Sequence, residues 1–213
     1  LEEAWRLLTR HHRRTAVEVA AAIRVFTPLR PPEAGQVSAT SRETFGCIAL
    51  SAPVDACSLA VTLAHETQHA KLSALLDVVP LLGPDDGSRH YAPWRPDPRP
   101  LSGLLQGAYA YLGVTAFWRT QRRLARGAEE TFAHAEFARW RAAAYGVTRV
   151  IAASGRLTPA GEAFVAGMER TLAPWLEEPV PADAAELARQ AAERHLNRWR
   201  ERNGEPAHAA VFR

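Results

Sequence analysis

The chain is poor in cysteine and lysine and has no long apolar run. Cys47 and Cys57 are its two cysteines. They do not form a C-x-x-C pair, so no disulfide framework is implied, and two thiols are too few for an iron–sulfur cluster with the usual cysteine count. A reducing cytoplasm is the expected setting. No apolar stretch approaches the roughly 20 residues of a membrane span, and the first residues carry no signal-peptide pattern, so no membrane role is expected. Of 26 basic residues all but Lys71 are arginines, and the formal net charge is only +3. Abundant alanine and arginine with almost no lysine suggests a GC-rich bacterial coding sequence. The basic runs at 10–14 and 119–126 sit among mixed charges and read as solvated helix faces, and no recognised nucleic-acid-binding motif accompanies them. Internal repeats are absent, as is any linker long enough to force a second domain.

What remains is 213 residues with 47% hydrophobic content, enough for one sizeable domain. We expect a single metal-binding domain over 1–213, with the helices after Thr158 as a helical satellite (158–213). A chain that opens on Leu1 rather than Met is expected to be a fragment of a longer, fused protein. The fold class expected is mainly α, with at most one small β element near residues 44–51 and the metal site on a central helix. A first helix is predicted over 1–25, with Glu2 and Glu3 in its first turn and Pro28, Pro31 and Pro32 ending it. Residues 33–43 read as a polar loop. Asp55 is the predicted N-cap of a helix reaching about residue 77. After a proline-rich loop over 85–100, helices are predicted over 101–125 and 128–153. Thr158-Pro159 starts another, reaching about 178. A last one spans about 182–203, and the chain from Gly204 on is expected to fray.

The chemistry concentrates in His65-Glu66-Thr67-Gln68-His69. On a helix, residues four apart share a face, so His65 and His69 can offer two imidazole nitrogens to one ion. Glu66 is the candidate catalytic carboxylate beside them, within reach of a metal-bound water or another ligand. Two neutral imidazoles with an adjacent carboxylate suit zinc and equally suit ferrous iron. His-Glu-x-x-His also arises by chance in roughly a few per cent of chains this long. The apolar flanks, Val61, Leu63, Ala64, Leu72, Leu75 and Leu76, weigh against chance, because polar groups inside such a helix are costly without partners.

A facial site needs a third ligand, and Gln106, Glu129, Glu130, His134, Glu136 and His90 are the candidates. The metzincin extension is absent, since Leu75 stands where its third histidine would. A zinc peptidase would use Glu66 as general base. An iron oxygenase would keep positions open for an oxo acid and would want an arginine for its far carboxylate, for which Arg95 and Arg99 are candidates. The aromatic and arginine residues of the stiff loop suit recognition of a carboxylate or a peptide. Tyr91, Trp94 and, on the following helix, Tyr109 are the candidate substrate-binding residues.

Three blocks then carry a resemblance: Leu63-Ala64-His65-Glu66-Thr67-Gln68-His69; Tyr91-Ala92-Pro93-Trp94-Arg95-Pro96-Asp97-Pro98-Arg99-Pro100-Leu101; and Gly103-Leu104-Leu105-Gln106-Gly107-Ala108-Tyr109-Ala110-Tyr111. Over nearly the whole chain the sequence resembles the HExxH domain of ribosomal-peptide biosynthesis. It looks most like the C-terminal domain of FxsB-type radical-SAM/SPASM peptide maturases. The resemblance implies an iron(II)/2-oxoglutarate-dependent peptide β-hydroxylase, acting on a ribosomal precursor peptide and fused to or associated with a radical-SAM/SPASM domain. It implies that His65 and His69 bind the metal and that Arg95 and Arg99 bind the oxo acid. Many members of that family carry a histidine where this chain has Gln106, which makes Gln106 a weaker third ligand, with His134 or Glu136 as substitutes. The radical-SAM cysteines are absent, so cyclophane formation is not expected of this chain. Two alternatives stand beside this reading: a zinc(II) metallopeptidase that processes the precursor peptide, and a non-catalytic peptide-binding domain of a radical-SAM maturase.

Overall fold

The computed structural model describes residues 1–33 and 35–206. Most of the chain end predicted to fray lies outside these. The fold is mainly α with one small sheet. The chain divides into two compact units, Leu1–Val78 and Val79–Arg213.

The first unit opens with α1 (Glu2–His11) and α2 (Arg13–Ala22), not with one helix. The break is at His12, whose backbone leaves the helical region (φ −125°, ψ 49°) while its side chain is buried. After α2 the chain enters β1 (Val25–Leu29), a strand where the sequence predicted a helix end. Pro28 is tolerated there because β1 is an edge strand, where the missing N–H faces away from the ladder. The segment predicted as a loop holds β2 (Ser38–Ala39) and a 3₁₀ turn (Arg42–Thr44). The predicted strand is β3 (Cys47–Ser51), shorter than expected at its start. The shortening has a cause at Gly46, whose φ of +86° turns the chain, and whose carbonyl accepts from Arg24 N and Val25 N.

The sheet order is β1-β3-β2. β1 runs parallel to β3, from Val25 opposite Cys47 to Leu29 opposite Ser51. β2 runs antiparallel, with Ser38 opposite Leu50. Against this sheet and the two N-terminal helices lies α3 (Ala56–Leu76). Asp55 caps it as predicted, accepting from Ser58 N at 2.7 Å. Leu59, Ala60, Leu63, Ala64, Ala70 and Leu72 are buried along it, and Leu8 and Ile48 are buried in the same unit. Glu18 on α2 fixes the helix from the side. It binds Lys71 Nζ at 2.9 Å and accepts from Gln68.

The second unit is built on α4 (Leu101–Gln121), α5 (Ala128–Ala152), α6 (Pro159–Leu176) and α7 (Ala182–Asn203). Their bounds follow the sequence reading closely, and Thr158 caps α6 by accepting from Gly161 N. Within this unit α6 and α7 both pack on α5. Arginines from α4 and α5 hold the C-terminal end of α6, where backbone carbonyls lack helical partners. Arg141 Nη1 donates to the carbonyls of Trp175 and Glu178, and Arg122 Nη1 donates to that of Pro179. The Glu178 carboxylate pairs with Arg119 and Arg122. Among the described residues no helix is long and apolar enough to cross a membrane.

Candidate metal centre

The His-Glu-x-x-His motif lies in the middle of α3, with its two imidazoles on one face. His65 Nε2 and His69 Nε2 are 3.1 Å apart, and the rings meet edge to face with centroids at 4.7 Å. Both side chains are half-buried while Ala64, Glu66, Thr67 and Gln68 are buried around them. Burial first, and then the neighbouring charge of His69, pushes the pKa of His65 down to about 3, so its ring stays neutral. Neutral imidazole is the form that binds metals. Two bonds of about 2.05 Å to nitrogens at this separation would enclose an angle of about 98°, between the right angle of an octahedral site and the roughly 109° of a tetrahedral one. The pair therefore fits two positions of one coordination sphere.

Glu66 is 2% exposed. Its Oε1 accepts from Ser38 Oγ at 2.7 Å and lies 4.0 Å from His65 Nε2. Its Oε2 is buried and has no hydrogen-bond partner among the described residues. A buried carboxylate oxygen left without a donor is costly, and a proton or a cation at that atom would relieve the cost. The donor set stops short of three, however: no group of three or more His, Cys, Asp or Glu side chains among the described residues is placed to hold a metal ion.

The remaining predicted site residues belong to the second unit. Tyr91 is buried against Leu196 and Trp199, with its ring edge to face on Trp199 and its hydroxyl hydrogen-bonded to His195 Nδ1 at 2.8 Å. Burial raises its pKa to about 12. Trp94 stacks on Tyr111, with centroids 4.6 Å apart and planes at 16°. It lies so close over α4 that a Cβ on Gly107 would fall 2.4 Å from its indole nitrogen. Tyr109 packs on Phe164. These three aromatics, expected to bind substrate, contribute to the packing of this unit.

Arg95 and Arg99 converge on one carboxylate inside their own loop. Arg95 Nε reaches Asp97 Oδ1 and Arg99 Nη1 reaches Asp97 Oδ2, each at 3.0 Å. Paired backbone hydrogen bonds between His90 and Arg99 close the loop at its base. The pair of guanidiniums is thus already arranged around a carboxylate, that of Asp97. Gln106 is half-buried on α4, three residues from Tyr109 and on the same face. His134 and Glu136 are two apart on α5 and face different ways. Glu136 accepts from Trp140 Nε1 at 2.7 Å, and burial raises its pKa. Burial, and then the charge of Arg122, lowers the pKa of His134, with Glu130 and Asp183 acting the other way. The two cannot serve one ion together.

Sequence reasoning missed Ser38. It lies in a segment read as a loop, and no pattern in the residues marked it as the partner of Glu66. A scan against protein-family models finds no match, and a search of curated proteins finds none.

Proposed function

We propose that the chain is a metal-dependent enzyme whose metal is held by His65 and His69, and that its reaction is iron(II)/2-oxoglutarate-dependent hydroxylation of a β-carbon in a ribosomal precursor peptide. The observation that carries the metal reading is the convergence of two Nε2 atoms at 3.1 Å beside a buried carboxylate with an unsatisfied oxygen. The oxygenase reading is supported by the resemblance of the three sequence blocks described above. The overall conversion is C–H plus dioxygen plus 2-oxoglutarate to C–OH, succinate and carbon dioxide. Iron(II) with the oxo acid, when bound, supplies the activation of dioxygen. The protein's own contribution is to hold the two imidazoles on one face of α3, to keep Glu66 in a fixed orientation, and to bind the peptide. For the oxo acid the resemblance implies Arg95 and Arg99, and for the third ligand Gln106. The peptide, a radical-SAM/SPASM partner and a cytoplasmic location complete the proposal.

A second reading rests on Glu66 itself. A carboxylate with a free oxygen next to two imidazoles is also what a zinc peptidase needs as general base. One experiment separates the two. The protein is loaded anaerobically with ferrous iron, 2-oxoglutarate is added, and the visible charge-transfer band of the chelate is sought, in the wild type and in His65→Ala. A band lost in the variant supports the oxygenase. Tight zinc binding with no band, and peptide cleavage abolished by Glu66→Gln, replaces it with the peptidase.

A further inference from the structure

We infer that Ser38 is the positioning residue for Glu66. The inference rests on the metal reading of α3 proposed above and names a part of that site outside the motif. Ser38 and Ala39 form the two-residue strand β2, held to β3 through the Ser38–Leu50 and Ala39–Ala49 pairs. From that edge the Ser38 hydroxyl donates to Glu66 Oε1 at 2.7 Å. It is the one hydrogen bond made by the Glu66 side chain among the described residues.

The consequence follows from counting donors. A carboxylate has two oxygens, and in a buried place each wants a donor or a cation. Ser38 satisfies Oε1 and thereby fixes the rotation of the carboxyl plane. Oε2 is left as the buried oxygen of this carboxylate without a hydrogen-bond partner among the described residues. The hydroxyl thus decides which oxygen is free and where it points. Without the hydroxyl, both oxygens are unsatisfied and the group is free to turn. Groups that orient metal-site residues from one shell out commonly change metal affinity by about 10- to 100-fold when removed.

The test uses the metal alone. Zinc(II) or cobalt(II) is titrated into the 213-residue chain by calorimetry, with the cobalt absorption spectrum as a second readout. Ser38→Ala is expected to weaken binding by about 10-fold or more and to shift the cobalt spectrum. Ser38→Thr, which keeps the hydroxyl, restores both. In a Glu66→Ala background Ser38→Ala is expected to have no further effect, because Ser38 acts through Glu66. Circular dichroism of each variant shows whether the fold is kept, and the Thr variant carries the argument if the Ala variant does not fold. A change in affinity under about threefold overturns the role of Ser38, as does one that Thr does not reverse or one that persists without Glu66. In those cases the metal reading stands as long as the wild type binds metal and the double variant His65→Ala/His69→Ala does not. No metal binding by the wild type overturns both.

Discussion

Gly107→Ala should destabilise the protein although it places a better helix former inside a helix. Alanine in a helix interior is worth about 1 kcal/mol over glycine. At position 107 the new Cβ would sit 2.4–2.5 Å from three atoms of the Trp94 indole. Trp94 is itself stacked flat on Tyr111, so moving aside costs it that stack. Overpacking of this kind costs about 1–3 kcal/mol, and losing the stack costs a further 0.5–1.5 kcal/mol or so. The net expectation is a loss of about 1–3 kcal/mol. Gly103, one turn earlier in α4, is the control. There the nearest atom is Arg99 Nε at 3.1 Å, the far end of a flexible side chain. Gly103→Ala should therefore be neutral or stabilising by up to about 1 kcal/mol. Urea unfolding followed by circular dichroism gives both values, and tryptophan fluorescence reports the displaced indole. In a Trp94→Ala background the sign at 107 should reverse, because the obstacle is gone. A Gly107→Ala protein as stable as Gly103→Ala would refute the idea that this glycine exists to seat Trp94.

His65→Ala and His69→Ala should each lower zinc affinity by two orders of magnitude or more, read by calorimetry. Equal binding by either variant would remove α3 from consideration as the metal helix. His195 supplies a pH dependence. Burial, with the nearby charges of Arg139 and Arg198, holds its folded pKa at about 4, against about 6.5 unfolded. The unfolded chain therefore takes up a proton between these values that the folded chain refuses. The contribution of His195 is complete above about pH 6.5 and is lost as the pH falls towards 4. The full shift corresponds to about 3.4 kcal/mol, which solvent screening of a half-exposed ring reduces to about 1–2 kcal/mol. Urea midpoints at pH 7.5 and 4.5 should show His195→Gln losing that part of the slope. Glu136, whose pKa burial raises, contributes in the opposite direction to both proteins, so the difference between them is the test. Arg122→Ala should cost about 3–5 kcal/mol, because a 5%-exposed guanidinium leaves Pro179 O without its donor and Glu178 without one of its partners. Arg123→Ala, at an exposed site 3.5 Å from the same carboxylate, should stay within about 0.5 kcal/mol by the same assay.

The helices of the second unit were legible because their signals are local. Thr158 with Pro159 marks a helix start within four residues, and the α5 apolar spacing runs unbroken to Ile151. The α3 cap at Asp55 and the placement of His65 and His69 on one face were legible for the same reason. The break at His12 was not, since no proline or glycine stands there and the helical periodicity continues across it. β1 was hidden by Pro28, which reads as a helix terminator until its edge position is known. The loop aromatics could be read equally as a binding surface or as core. What decides it for Trp94 is the missing Cβ of Gly107, thirteen positions away in the sequence. Ser38 is the clearest case: its role depends on β2 lying against α3, and pairing between distant segments leaves no periodic trace.

The partnership of Ser38 with Glu66 also orders events in time. His65 and His69 come to face one another as soon as α3 winds, because the spacing is internal to the helix. The Ser38 contact waits for longer closures. β2 pairs with β3 alone among the described residues, so it has nothing to rest on until β3 has met the sheet and α3 has packed. A partly folded chain would then have both imidazoles face to face before its carboxylate had any orientation. In kinetic terms Ser38→Ala should leave the folding rate nearly unchanged and speed unfolding, a φ-value near zero, and a value near one would place β2 in the nucleus instead.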